Sequence, residues 1–277
     1  MNRSFMRWPG FKRKALTLSY DDGVIFDKKL MEILDKHGIK CTFNLNSGRF
    51  GEDRRFSREE SIALYTNSGH EVAVHGAHHL PLDKVPVAVA MNDVINDRIE
   101  LERMFGTLIQ GVAYSFGTYT DEVVEMLKMC GIKYARHIKS SEGFDVPEDW
   151  LRLAPTCGHS NAKLMDLARK FIEDDGGRSY ITKKPLLFYL WGHSYSFNDA
   201  DNWYIIENFA EYMGGRDDIW YATNIDIYRY TEAFDRLEFN AEGSRIYNPS
   251  AIDVYIQYYY NEYLIPAGAS VEVEPKK

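Results

Sequence analysis

Residues 15–38 read ALTLSYDDGVIFDKKLMEILDKHG and contain a strand signal, a turn and a helix signal in that order. Residues 15–20 form a short apolar run, which predicts a buried strand. After the acid pair Asp21 and Asp22, apolar side chains recur at helical spacing until Gly38 provides a helix stop. These side chains are Phe26, Leu30, Ile33 and Leu34. The stretch therefore predicts one βα unit of a protein built on a parallel sheet or barrel.

The same alternation of strand and helix signals continues along most of the chain. Further short apolar or aromatic runs precede polar turns at 41–45, 71–74, 112–116, 132–136, 151–154, 186–191 and 219–222. About eight strands with helical segments between them predict an α/β fold. The length of 277 residues suits one large domain of this kind.

Beyond about residue 236 the helix signal disappears. Residues 245–266 alternate Tyr, Ile and Val with polar residues, so we expect a barrel domain over 1–235 and a small β appendage over 236–277. The tyrosines at 258–260 and Tyr263 could form a sugar-stacking surface, but aromatic strand residues more often pack on their own domain. We therefore expect the appendage to pack on the barrel.

Composition and charge restrict the class of partner. The chain is 45% apolar and 27% charged, which is typical of a soluble globular protein. A formal net charge of −8, with acids spread along the chain, argues against a nucleic-acid partner. Residues 1–13 contain no apolar run of secretory-signal or membrane-spanning length. We expect a cytoplasmic protein that acts on a small or neutral molecule and has no membrane partner.

Two carboxylates stand where the first strand ends. In a βα barrel the working residues lie at the C-terminal ends of strands. Adjacent side chains of a strand point to opposite faces, but a turn at Gly23 would let Asp21 and Asp22 approach one site, one as a metal ligand and its neighbour as a base. Asp-Asp-Gly is also a common turn sequence, so this pair does not decide the function alone.

The third strand is followed by His75-Gly76-Ala77-His78-His79. Imidazoles four residues apart, one at the strand end and one on the next turn, could bind a single ion through neutral nitrogens. A solvated histidine cluster is the alternative interpretation. The histidines come directly after an apolar strand, however, which favours metal ligation. Two histidines and one carboxylate leave coordination positions open, which is typical of a catalytic metal.

His193 follows another apolar run at 186–191. A protonated imidazole opposite the base could donate to the leaving nitrogen or oxygen when a tetrahedral intermediate collapses. A hydrogen-bonded structural histidine is the common alternative at such a position.

These motifs, in this order, resemble those of the polysaccharide deacetylase family, the NodB-homology group also called carbohydrate esterase family four. The resemblance runs from about residue 15 to 230. The family motif Thr-Phe-Asp-Asp-Gly supplies base and then ligand, which implies that Asp21 is the base and Asp22 the ligand. His-(Ser/Thr)-x-x-His matches His75 and His79 as ligands, and Leu-x-His places the catalytic histidine at His193.

The resemblance also implies a distorted (β/α) barrel of seven to eight strands with one bound divalent ion. Zinc is the first expectation for that ion, and cobalt, nickel, manganese and iron are alternatives. The family's Asp-Trp motif resembles Asp149-Trp150, which implies that Asp149 orients His193 and that Trp150 lines the acyl pocket. Trp191 stands where the family has Leu, so we expect a narrower pocket. The implied substrate is an acetylated carbohydrate or a related small molecule.

The third family motif, Arg-x-Pro-(Tyr/Phe)-Gly, appears here as residues 113–117 with Ala113 in place of the Arg. In the family that Arg pairs with the base and lowers its pKa. We therefore expect another basic residue, such as Arg136 or Arg152, or the metal itself, to tune Asp21. The backbone N–H of Phe116 would still be an oxyanion donor, since that role needs only the turn geometry.

Two other functions fit parts of the pattern. Two histidines and one carboxylate also form the facial triad of non-haem iron oxidoreductases, although here the Asp comes first and βα alternation surrounds it. The missing Arg and the aromatic C-terminal segment would fit a degenerate barrel that binds carbohydrate without turnover, but Asp21 and His193 are both intact. Further candidate substrate contacts are Tyr195, Trp203 and Asn224.

Overall fold

The structure is a computed structural model that describes residues 3–176 and 183–274. The strands are β1 (Met6–Arg7), β2 (Lys14–Asp21), β3 (Cys41–Leu45), β4 (Glu71–Val74), β5 (Gly111–Ala113), β6 (Tyr134–Arg136), β7 (Cys157–Gly158), β8 (Leu186–Gly192), β9 (Ile219–Tyr221), β10 (Glu238–Phe239), β11 (Arg245–Tyr247), β12 (Val254–Tyr258), β13 (Asn261–Ile265) and β14 (Ser270–Glu272). The helices are α1 (Asp27–Lys36), α2 (Arg58–Tyr65), α3 (Val87–Phe105), α4 (Asp121–Met129), α5 (Leu164–Glu173), α6 (Ser194–Asp199), α7 (Tyr204–Met213) and α8 (Asn224–Asp235).

Strands β2 to β9 form one parallel sheet in the order β6-β5-β4-β3-β2-β8-β7, and β9 also pairs with β2. All eight residues of β2 are buried. β2 pairs with β8 on one side; on the other it pairs with β9 along its first half and with β3 along its second half. The sheet curves into a half-barrel with helices between the strands, so the predicted α/β barrel class is confirmed.

The predicted strand at 151–154 is wrong in form. Residues Trp150–Arg152 make a 3-10 turn, because the Asp149 carboxylate accepts a hydrogen bond from the Leu151 N–H and bends the chain. Only Leu153 forms a parallel bridge to Arg136. Pro155 has no N–H to continue a ladder, and the strand that pairs with β8 comes later, as β7. This segment fills the gap between β6 and β8.

The carboxyl ends of β2, β4 and β8 meet at one edge of the barrel, while α8 covers the opposite end. There the first backbone N–H groups of α8 reach polar side chains of the barrel: Asn224 N lies 3.0 Å from Thr42 Oγ1, and Ile225 N lies 2.9 Å from Glu71 Oε2. The helix N-terminus thus donates to a partly buried carboxylate and closes this end of the barrel.

The C-terminal strands form two small sheets, β1-β12-β13 and β10-β11-β14. The sequence did not predict that β1, at the start of the chain, would join the first of them. Tyr258 packs against Phe5, with 6.1 Å between ring centroids, and Tyr255 packs against Phe11 at 4.9 Å. These two tyrosines therefore pack within the protein. The boundary near residue 236 stays a prediction.

None of the helices within 3–176 and 183–274 is both long and apolar enough to span a bilayer. The three cysteines are buried free thiols.

Candidate metal and acid-base site

Asp22, His75 and His79 lie together at the carboxyl edge of the barrel. Each offers one ligand atom, and these atoms lie within 4.8 Å of one another. Asp22 and His79 both have left-handed backbone conformations, with φ of 84° and 57°. The N–H of Asp22 still donates to the carbonyl of Asn44 at 2.9 Å, as part of the pairing with β3, and the positive φ of Asp22 and of Gly23 then turns the chain after β2. This turn is the geometry that the adjacent acids were expected to need.

His75 is oriented as a metal-ligating histidine would be. Its Nδ1 lies 2.8 Å from the carbonyl oxygen of Ala113, so we place the proton on Nδ1, which leaves the Nε2 lone pair free. Its backbone N–H lies 2.9 Å from the Leu45 carbonyl oxygen and 3.1 Å from Asp97 Oδ2. Burial, followed by the neighbouring His75, lowers the pKa of His79 to about 4. The orientation of His75 and the lowered pKa of His79 therefore suit ligation of a first-row divalent ion.

Arg55 holds the third candidate ligand. Its Nη2 lies 3.2 Å from Asp22 Oδ1, and its Nη1 lies 3.1 Å from Asn46 Oδ1 and also donates to the Asp22 carbonyl. Sequence reasoning missed Arg55, because no local motif marks a loop arginine as the partner of a carboxylate 33 residues away.

Asp21 is paired with Arg136, one of the two arginines expected to replace the missing one. Arg136 Nη2 lies 2.6 Å from each carboxylate oxygen of Asp21, and Asn44 Nδ2 donates to Oδ1 at 2.8 Å. Burial alone would raise the pKa of Asp21, but the positive charge of Arg136, followed by His75 and His193, brings that pKa below its usual value. Asp21 is therefore a carboxylate at neutral pH.

His193 lies beside the acid pair. Its Nε2 is 3.9 Å from Asp21 Oδ2 and 3.8 Å from Asp22 Oδ2. Burial lowers the pKa of His193, while Asp21 and Asp22 act in the opposite direction. The imidazole is thus held close to two groups that can exchange or stabilise a proton.

Asp149 and Trp150 are not brought to this site. The Asp149 carboxylate lies 2.5 Å from Arg152 Nη1, because Arg152 is three residues away on the same turn. No hydrogen bond or ion pair joins Asp149 to His193 in the part of the chain that the structure describes. Trp150 packs against Tyr228 in a separate core, with 5.3 Å between ring centroids. The roles that the resemblance implied for these two residues therefore lack structural support.

Phe116 and Trp191 do lie beside the acid-base and metal residues. The Phe116 ring is 4.7 Å from the His79 ring, and 58% of the residue is exposed. The Trp191 ring centroid lies 4.8 Å from Arg136 Cζ and 5.6 Å from the His193 ring. Their contact with substrate stays a prediction.

Of the three further candidate substrate contacts, one lies at the site and two do not. Tyr195 lies beside His193, with 5.0 Å between ring centroids. Asn224 is buried at the opposite end of the barrel, and Trp203 is buried against Phe197. Neither of these last two reaches the site.

Comparisons with known proteins find similar sequences over part of the chain. Residues 9–135 match a family model described as polysaccharide deacetylase. A curated relative from Arthroderma benhamiae, named a probable peptidoglycan-N-acetylglucosamine deacetylase, is 28% identical over 99 residues, which are 35% of this chain and 21% of the relative. The match thus spans about a fifth of that relative's length.

Solved structures share the fold. A Mycobacterium smegmatis protein assigned to the polysaccharide deacetylases aligns with a TM-score of 0.61 and 16% identity, covering 83% of this chain and 94% of that one. PuuE allantoinase aligns with a TM-score of 0.60 and 13% identity, covering 80% and 91%. At these identities the likeness establishes the barrel fold alone, and both kinds of protein carry that fold.

Proposed function

We propose that this chain is a metal-dependent hydrolase that removes an acetyl group from an acetylated carbohydrate or a related small molecule. The match of residues 9–135 to the polysaccharide deacetylase family model supports the proposal. The observation that carries the proposal is the single cluster in which Asp22, His75 and His79 lie beside Asp21 and His193.

The donor set fits one divalent cation. A carboxylate and two imidazoles that converge on one point, with positions left open, are typical of a catalytic site. Zinc is our first choice, and the same donors accept cobalt, nickel, manganese or iron. A bound cation of this kind would polarise the acyl carbonyl and lower the pKa of a water molecule. Asp22, His75 and His79 would hold it, with Arg55 fixing the Asp22 side chain.

In this proposal Asp21 accepts the proton of the attacking water. Arg136 keeps its carboxylate charged, and Asn44 fixes one of its oxygens, so the base is ready before the substrate binds. His193 then donates a proton to the leaving nitrogen or oxygen. The negative charges of the two carboxylates, 3.9 and 3.8 Å from Nε2, would stabilise the imidazolium form while it holds that proton.

Phe116 and Trp191 border the place where the acyl group would lie. The left-handed conformation of Phe116, with φ of 60°, belongs to the turn whose N–H we propose as the oxyanion donor. Trp191 is held against the Arg136 guanidinium, so we propose that it narrows the acyl pocket to acetyl.

The alternatives are weaker on specific grounds. An iron oxidoreductase triad is disfavoured because the Asp precedes the two histidines and βα alternation surrounds them. In the structure the three ligands do follow strands of a parallel barrel. A binding barrel without turnover would not need both Asp21 and His193. The allantoinase fold likeness adds one arm to the test, because hydrolysis of a non-sugar amide would use the same residues.

The test is acetate release from a panel of N-acetylated and O-acetylated sugars, using metal-stripped and metal-reloaded protein. Allantoin is the non-sugar arm, and there the measured product is the ring-opened allantoate. We expect activity to disappear with the metal and to return on reloading. Asp22→Ala should lose metal and activity together, with partial recovery at high metal concentration. Asp21→Asn should keep the metal and lose turnover by roughly 10²–10⁴. Acetate release that is unchanged in both variants would contradict the proposal.

A further inference from the structure

A buried hydrogen bond joins the segment after the acid pair to the helix that follows His193. Asp27 is the first residue of α1, and Ser194 is the first residue of α6. The Ser194 hydroxyl donates to Asp27 Oδ1, and the Tyr65 hydroxyl donates to Oδ2 at 2.8 Å. Asp27 and Ser194 are both fully buried. The Asp27 side chain therefore links α1, near the start of the sequence, to α6, in its second half.

α6, the helix that follows His193, needs contacts with the rest of the protein to fix its position. α6 has only six residues, and His193 is its N-cap without a side-chain capping bond. A helix this short has little stability of its own, so contacts with its surroundings decide where its first turn lies. Among the described residues, and outside the regular helix and strand bonds, one backbone hydrogen bond links His193 to α6: Ser196 N donates to the His193 carbonyl oxygen at 3.1 Å.

Asp27 has no place in the proposed chemistry, yet it is an expensive group to bury. Burial raises its pKa to about 7, although Ser194 and Tyr65 donate to it. An apolar residue of similar size would avoid this penalty. Unlike an apolar residue, the carboxylate can accept a specific hydrogen bond from Ser194. The residue expected to orient His193, Asp149, is held elsewhere by Arg152.

We propose that Asp27 is a positioning residue for His193: through Ser194 it fixes the first turn of α6 and so holds the imidazole beside Asp21 and Asp22. The catalytic consequence rests on the proposed function. Asp27 touches neither substrate nor metal in this proposal, and its effect on turnover passes through His193.

The test compares Ser194→Ala and Asp27→Ala with Tyr65→Phe. Tyr65→Phe is the matched control, because it removes the other hydrogen bond of Asp27 and leaves α6 untouched. Turnover is measured on an N-acetyl sugar, whose leaving group needs a proton, and on an activated acetyl ester, whose leaving group does not. We expect Ser194→Ala and Asp27→Ala to lower turnover on the amide at least tenfold more than on the ester, with metal content unchanged. Tyr65→Phe should leave this ratio unchanged.

A double-mutant comparison separates positioning from general damage. In a His193→Ala background, Ser194→Ala should have no further effect on the amide, because the group it positions is gone. Equal losses on amide and ester, or losses that multiply with His193→Ala, would overturn the proposal. If Asp27→Ala does not fold, Ser194→Ala alone decides between these outcomes.

Proton NMR of the His193 ring gives a readout that does not need activity. Its resonances are identified as those absent from the His193→Ala spectrum. We expect them to shift or broaden in Ser194→Ala and to stay in place in Tyr65→Phe. Should the wild-type protein release no acetate, the proposed function fails while the spectrum still tests the position of His193. Unchanged resonances in Ser194→Ala would overturn the positioning role by themselves.

Discussion

Arg136 Nη2 lies 2.6 Å from both carboxylate oxygens of Asp21, although β6 and β2 are separated by three strands in the sheet order. Both side chains are almost completely buried. The cation that the third motif lacks is thus supplied across the barrel interior by a residue that ends a different strand. The Nε and Nη1 atoms of Arg136 have no hydrogen-bond partner among the described residues, and its guanidinium lies on the Trp191 ring.

Arg136→Met should destabilise the protein strongly, because it leaves a buried carboxylate without its cation. Breaking one side of a buried pair typically costs roughly 3–5 kcal/mol. The double variant Asp21→Asn, Arg136→Met should cost clearly less than the sum of the single changes. The measurement is urea unfolding of metal-free protein at neutral pH. Arg152→Met is the control and should change little, since its partner Asp121 is solvent-exposed. Additive effects at Asp21 and Arg136 would contradict the coupling.

His159→Phe should change how stability depends on pH. His159 is buried, with 6% of its surface exposed, and its Nδ1 has no hydrogen-bond partner among the described residues. Burial, followed by the charge of His193, lowers its pKa to about 4. Below about pH 6.5 His159 binds a proton in the unfolded chain, whereas in the folded protein it stays neutral until the pH approaches 4. The free energy of unfolding of the wild type should therefore fall between pH 6.5 and 4.

The size of this effect follows from the pKa difference and is roughly 3 kcal/mol at most. The difference in unfolding free energy between His159→Phe and wild type, measured in urea at pH 7 and at pH 4.5, should shift in favour of the variant at the lower pH. A difference that is the same at both pH values would show that His159 does not titrate in this way.

Gly192→Ala should impair turnover through a steric clash directly before His193. A Cβ at this position would lie 2.0 Å from His159 Nδ1, so either β8 or the His159 ring must move. A displacement of about 1 Å at a catalytic group can cost roughly 10²-fold in rate. Adding His159→Ala should restore part of the activity by opening space. Gly143→Ala is the control, since the nearest atoms to its Cβ lie at 3.9 Å; failure of the second substitution to restore any activity would contradict this clash.

Removing residues 236–277 should lower thermal stability and solubility before it changes substrate binding. The segment contains the partner strand of β1, with Met6 opposite Ile256. It also provides the Tyr255 N–H that donates to the Tyr230 hydroxyl at 2.9 Å. Truncation would expose the buried residues around these contacts. Thermal unfolding and binding of a long oligosaccharide are measured on the same sample. A truncated protein that stays fully stable and loses only oligosaccharide affinity would reverse this interpretation.

The sequence alone was enough to locate the parts of the site that are close together in the chain. Asp21 and Asp22 end one apolar run and His75 follows another, and the carboxyl ends of parallel strands meet at one edge of a barrel. The turn at Gly23 and the four-residue spacing to His79 bring the remaining ligand into reach. Strand ends and short spacings are local properties, so the cluster in the structure follows from them once the barrel class is known.

Only the tertiary structure decided which partners these residues have. Arg136 is 115 residues from Asp21, and Ser194 is 167 residues from Asp27, so each pair depends on how the barrel closes. The sequence could not choose between Arg136 and Arg152, since both follow the missing motif and both are basic. The structure decides because Arg136 ends a strand and points into the barrel, whereas Arg152 lies on a turn where Asp149, three residues away, captures it.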